Sequence, residues 1–197
     1  MKRVFLAICL FCISCHLMAQ EEKIRFGGKA GINLSEIRGS TDYRTSFHVG
    51  VLTEIPVLNK ISVQPELVYS SQGGETVTSD FEAIFKLDYL NIPVMLKLYL
   101  GKRFNFQAGP QVGFLLSARR ESVDSFGGIT ETLDEDIKSF LSDVDFGLSF
   151  GLAYQWKIGV FIDTRYNLGV TDISKVEFNN SDIENGTFQF SLGYMFL

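Results

Sequence analysis

The last segment of the chain sets Phe188, Phe190, Leu192, Tyr194 and Phe196 on one face and Gln189, Ser191, Gly193 and Met195 on the other. A period of two belongs to the β-strand, whose successive side chains point to opposite faces. Similar alternation recurs seven more times upstream. It predicts strands at 24–33, 45–55, 61–70, 86–100, 104–118, 143–156, 158–168 and 186–197. The chain is therefore expected to be all-β.

The connections between these strands alternate in length. Three are short: Pro56–Lys60, Gly101–Arg103 and a tight step near Lys157. Four are long: residues 34–44, 71–85, 119–142 and 169–185. Short turns at one end and long loops at the other are the rule of transmembrane barrels, with the turns periplasmic and the loops extracellular. The expected architecture is an eight-stranded antiparallel up-and-down transmembrane β-barrel. An even strand count puts both termini in the periplasm.

The amino terminus fits a barrel of the cell outer membrane in a Gram-negative envelope. Lys2 and Arg3 precede an almost wholly apolar run, Val4 to Ile13, too short for a membrane helix, which needs about 20 residues. Residues 1–19 read as a signal peptide with Ala19 last before the cut, and residues 20–197 as the barrel domain. Cys12-Ile13-Ser14-Cys15 leaves a lipid anchor at Cys15 as the alternative. Cys9, Cys12 and Cys15 all lie in the signal, so no disulfide, thiolate metal site or cysteine nucleophile is available downstream. Two basic residues leave with it, making the rest more acidic than the −5 of the whole chain. That balance disfavours a nucleic-acid partner.

Alternation alone does not separate a membrane barrel from a soluble lipocalin-like barrel, in which the apolar face lines a cavity. Three features point to lipid outside. Glycine crowds the polar face at Gly27, Gly31, Gly50, Gly109, Gly113, Gly147, Gly151, Gly159 and Gly193. Glycine weakens a strand, but a narrow filled lumen needs it. Aromatic residues of the apolar face gather near the strand ends. Phe26, Phe104, Phe106, Tyr154, Trp156, Tyr194 and Phe196 form one girdle; Phe47, Tyr69, Phe146, Tyr166 and Phe188 form the other. Aliphatic residues such as Val49, Val63, Val94 and Ile162 lie between them. Charges on the polar face are few and balanced: Arg25, Lys29, Lys97 and Arg165 against Glu54, Glu66, Asp145 and Asp163. Buried charges must be paired. These eight, with Gln64, Gln107, Gln111 and Gln189, are expected to close the lumen, Arg25 with Glu54 near the periplasmic end and Lys29, Glu66, Asp163 and Arg165 nearer mid-height.

Pro65, Pro93 and Pro110 fall inside strands of a sheet without a free edge, so bulges or bends are expected there. Loop 119–142 is acidic, with Glu121, Asp124, Glu131, Asp134, Glu135 and Asp136, but lacks the glycine-hinged spacing of a calcium loop and reads as a solvated surface. No metal motif or phosphate loop is present, and no cofactor is expected. Without the signal, His48 is the sole histidine. Ser46 and Ser70 lie near it, but the only acid at that height is Asp145, across the barrel. A lumen histidine bonded to its neighbours is the expectation, and the chain is not expected to be an enzyme.

Five segments add a resemblance: Phe26-Gly-Gly-Lys-Ala-Gly-Ile-Asn-Leu-Ser35, Gln64-Pro-Glu-Leu-Val-Tyr69, Tyr89-Leu-Asn-Ile-Pro-Val94, Gln107-Ala-Gly-Pro110 and Arg165-Tyr-Asn-Leu-Gly169. In this order, over nearly all the chain beyond the signal, they resemble the outer-membrane β-barrel family that includes the PorT-type proteins. The resemblance implies an outer-membrane location and an eight-stranded barrel, with the strand prolines as a family feature. It does not imply a single function, although the protein for which the type is named belongs to a secretion system of the envelope. The expected role is a structural or interaction barrel, held by outer-membrane lipid and serving an envelope or secretion assembly. The alternatives are a narrow pore for small solutes and an outer-membrane hydrolase. A lipid-facing surface and a subunit contact share one chemistry, so the sequence sets no oligomeric state.

Overall fold

The computed structural model describes residues 23–38, 42–77, 81–126, 129–175 and 184–196. The signal-peptide reading of residues 1–19 lies outside them. Nine strands form: β1 (Arg25–Ile37), β2 (Arg44–Leu58), β3 (Ile61–Val77), β4 (Phe81–Leu100), β5 (Phe104–Phe126), β6 (Ile129–Asp136), β7 (Val144–Gln155), β8 (Val160–Gly169) and β9 (Asn185–Phe196). Eight of them run antiparallel, each beside its neighbours in the chain, and the sheet closes where β1 pairs with β9, Phe26 opposite Phe196. The ninth, β6, folds back on the far part of β5 and takes no place in the wall.

Two of the segments read as loops are therefore mostly strand. A transmembrane strand needs about 9–11 residues. β7, β8 and β9 have 12, 10 and 12, whereas β3, β4 and β5 have 17, 20 and 23. The excess, with β6, forms a four-stranded sheet that stands above the long-loop end of the barrel. In it Glu75 pairs with Ile84, Ile84 with Glu121, and Glu121 with Asp134.

Pro65, Pro93 and Pro110 do not create bulges. Register runs unshifted through Pro65, Pro93 and Pro110. Each strand absorbs its proline by losing local ladder pairs, as at 53–54 of β2 opposite 64–65 of β3. Register shifts lie elsewhere, one between Pro56 and Leu58 at the β2–β3 turn and one where β4 moves from Asp88 to Tyr89 while β5 moves from Ser117 to Leu115. Leu116 is the extra residue, and it reverses which β5 side chains face inward. Below it Leu115 points in; above it Ala118 does.

The wall is apolar outside and polar inside. Val49, Val51, Val94, Leu96, Phe150 and Leu192 are exposed on the outer face, while Lys29, Glu66, Lys97, Asp163 and Arg165 are buried within. Ring contacts stay within each predicted girdle: Phe104 on Phe106, Tyr154 on Trp156 and Tyr194 on Phe196 at the short-turn end, Phe47 on Tyr69 and Tyr166 on Phe188 at the other. The narrow lumen needs its glycines. A Cβ on Gly31 would sit 1.9 Å from the Phe190 carbonyl oxygen, and one on Gly193 would sit 2.1 Å from the Phe161 ring. Gly159 instead belongs to the β7–β8 turn, where its φ of +90° suits glycine.

Candidate functional site

Inward-facing positions of eight tilted strands converge on a lumen that side chains can fill. Near the short-turn end Glu54 is the hub. Arg25 reaches it at 3.0 Å, Lys97 at 2.9 Å, and the Tyr99 hydroxyl donates to it at 2.5 Å. Beside this group Leu52, Phe161 and Met195 pack together.

Glu66 is the second hub. Lys29 pairs with it at 2.7 Å, and Arg165 donates to both its oxygens, at 2.9 and 3.0 Å. This two-pronged contact is the stronger form of a charge-assisted bond. Arg165 also reaches Asp163 at 2.9 Å, and Gln107 donates to the same carboxylate at 2.7 Å. Gln64 joins the hubs, accepting from Lys97 at 2.9 Å and donating to Glu66 at 2.7 Å. Seven of the eight charged residues expected in the lumen thus form two coupled groups.

Asp145 is set apart from them. It lies at the long-loop rim, accepting from Thr171 at 2.8 Å and Asn185 at 3.0 Å. Its polar neighbours satisfy it there, so it needs no cation. Gln189 joins the layer described next, and Gln111 is only half-buried.

Above Glu66 the lumen is neutral and polar. His48 Nδ1 lies 2.7 Å from Asn33 Oδ1, and its Nε2 lies 2.9 Å from Ser191 Oγ. Asn33 donates to Ser70 and to the Ser71 carbonyl, and Gln189 donates to Asn33. The serines suggested by sequence are not the partners of His48: Ser46 donates to the Ser71 carbonyl. Asn33 and Ser191 emerge only from strand register, which sets Gly31 opposite both His48 and Ser191. A base between a hydroxyl and an orienting amide has the outline of a hydrolytic relay. Here Asn33 and His48 are 0 and 1% exposed and Ser191 is 6% exposed, so no substrate reaches them.

At the long-loop mouth the filling becomes apolar. Ile37, Leu87, Tyr89, Leu115, Ala118 and Ile173 form a buried cluster, with Phe85, Ile137 and Leu141 packed against it. Sequence reasoning missed this plug, because its members come from the overrunning strands and from connections read as solvated. The segment after β6 is held inward by backbone bonds from Ser142 to Ile173 and from Lys175 to Phe140. Among the described residues, polar layers below and an apolar layer above fill the lumen. Among the described residues no group of His, Cys, Asp and Glu could hold a metal ion.

The model of the family described as outer membrane protein beta-barrel domain matches residues 18–175. No curated protein matches the chain. Among solved structures, Ail, the attachment invasion locus protein of Yersinia pestis, aligns over 88% of this chain and 97% of its own, at 12% identity and a TM-score of 0.50. Neisserial surface protein A aligns over 88 and 97% at 11% identity and a TM-score of 0.48. CarO of Acinetobacter baumannii aligns over 85 and 97% at 8% identity and a TM-score of 0.48. The likeness to Ail is one of fold.

Proposed function

Because the chain belongs to this outer-membrane β-barrel domain family, and so to the outer membrane, we propose that it is a closed structural or interaction barrel rather than a pore or an enzyme. The observation that carries the reading is the contrast between its two parts. The lumen is filled from the Glu54 hub to the apolar plug, while the four-stranded sheet projects past the wall with charged side chains outside. Lys86 pairs with Glu121 there, and Arg119 with Asp134 at 3.3 Å. A barrel closed in this way has a surface to offer, not a passage.

In this reading residues 1–19 are a signal peptide, both termini are periplasmic, and the projecting sheet is extracellular. Outer-membrane lipid surrounds the wall. The protein acts as an accessory of an envelope or secretion assembly, in keeping with the PorT-type resemblance of its motifs. No nucleic acid, metal or cofactor has a part in it. The sealed Ser191–His48–Asn33 arrangement supports a structural role for the one histidine beyond the signal.

An affinity pull-down of a tagged copy at native level from solubilised outer membranes tests the partner. A stable set of co-purifying envelope proteins is expected. A lone heat-modifiable barrel would contradict the assembly role. Orientation is tested on the same protein, whose cysteines all lie within the first 15 residues. Glu135→Cys is expected to react with an impermeant maleimide on intact cells, and Lys60→Cys only after lysis.

A further inference from the structure

The short-turn end differs in charge from the rest of the molecule. The three short turns and the residues just before β1 carry Lys23, Lys60, Lys102, Arg103 and Lys157, and no acid among the described residues. Between the β4–β5 turn and the β7–β8 turn lies a pocket of about 540 Å³, lined by Arg25, Tyr99, Lys102, Arg103, Trp156 and Lys157, with Gln155 at its edge. Its one nearby carboxylate, Glu54, is buried behind Arg25 and already shared with Lys97. Among the described residues, Lys102, Arg103 and Lys157 make no ion pair with a carboxylate.

A second cavity lies on the outer wall, one side chain away through Tyr154. On the outer wall, across β7, β8, β9 and β1, small outward residues Ala30 and Thr164 leave an apolar groove of about 580 Å³ between Leu152, Ile162, Phe190 and Leu192. Tyr154 connects the two cavities. Its ring lines the groove, and its hydroxyl accepts from Arg103 at 3.1 Å. The ring of Tyr154 also contacts Trp156, which lines the basic pocket. A cationic pocket at the aromatic girdle, linked through Tyr154 to an apolar groove on the hydrocarbon face, has the two halves of a lipid site. Arginine binds phosphate through its planar fork, and lysine adds a point charge. Basic pockets at membrane interfaces hold anionic headgroups in this way.

We propose that Lys102, Arg103 and Lys157 form a binding site for a phosphate-bearing headgroup, with the groove over Ala30 and Thr164 taking an acyl chain of the same lipid. The site requires only that the barrel lie in a bilayer. It is independent of which end faces the periplasm and of any protein partner, so a failed pull-down leaves it standing.

Trp156 is the only tryptophan of the chain and reports on the pocket directly. The folded full-length barrel in zwitterionic detergent is titrated with dihexanoyl-phosphatidylglycerol, with dihexanoyl-phosphatidylcholine and with inorganic phosphate, following Trp156 fluorescence. Retention of dioleoyl-phosphatidylglycerol is read in parallel by native mass spectrometry. The phosphatidylglycerol is expected to bind at least tenfold more tightly than the phosphatidylcholine. High salt should release it from the unaltered protein, and K102Q/R103Q/K157Q should lose it while staying heat-modifiable. Ala30→Leu with Thr164→Leu fills the groove without touching a charge. It should weaken retention of the dioleoyl lipid and spare the dihexanoyl one. Equal binding by inorganic phosphate, with no effect of filling the groove, would overturn the lipid assignment in favour of a free anion. Equal binding of the two lipids, or salt-insensitive binding, would overturn the site altogether.

Discussion

The wall of the barrel and the sheet that projects from it are made of the same strands, yet their polarity is reversed. Along the lower part of β4, Ile92, Val94, Leu96 and Leu98 face outward and Lys97 faces the lumen. Along its upper part Lys86 faces outward, paired with Glu121, and Leu87 and Ala83 are buried within. The change falls between Asp88 and Leu90, at the level where Leu116 bulges from β5. A strand in hydrocarbon must show apolar groups outside, and a lumen too narrow for free solvent must satisfy polar groups inside. Once the strands pass beyond the apolar band, water takes the outer face and the ordinary rule of a soluble core applies. The level of inversion marks where the bilayer ends.

Five substitutions probe the two regions, read as unfolding free energy of the barrel refolded in lipid vesicles. Glu66→Gln should cost most, about 3–5 kcal/mol, because Lys29 loses its carboxylate inside the wall and Arg165 keeps only Asp163. A cost below about 1 kcal/mol would mean that water screens the lumen, and that it is not closed. Leu87→Ala should cost about 2–5 kcal/mol by opening a cavity in the plug. A negligible cost would show that the projecting sheet has no core of its own. Val94→Arg should cost about 2–4 kcal/mol on the outer face of the wall. Leu133→Arg, exposed on β6, should be nearly neutral, and equal costs for the two would erase the boundary. Arg119→Ala should cost least, about 0–1 kcal/mol, because its pair with Asp134 is more than half exposed. A larger loss would mean that a partner or a second copy covers the sheet.

The same inversion explains what the sequence made legible. In the wall, strong outward residues at every second position expose the period directly, as in Phe188 to Phe196. The pair of Arg25 with Glu54 and the mid-height group of Lys29, Glu66, Asp163 and Arg165 could be anticipated because a filled lumen leaves a charge few other fates, whereas the sharing of Glu54 with Lys97 could not. In the projecting sheet the outward positions are Lys86, Glu121, Arg119 and Asp134, which resemble a solvated loop. The Leu116 bulge shifts the phase midway along β5, and Gly73, at a φ of +122°, puts a position without a side chain into β3 beside the Phe85 carbonyl. A pattern whose phase slips and whose outer face is polar carries little periodic signal. Partners that meet only through register, such as Ser191 with His48, leave no local trace at all.

A closed lumen would leave the protein to work through its surfaces. Ion conductance of the unaltered barrel in planar bilayers tests it most directly. The coupled Glu54 and Glu66 groups and the Leu87–Tyr89–Leu115 plug predict no steady current at either polarity. A stable open channel with reproducible conductance would contradict the account and make the lumen a passage.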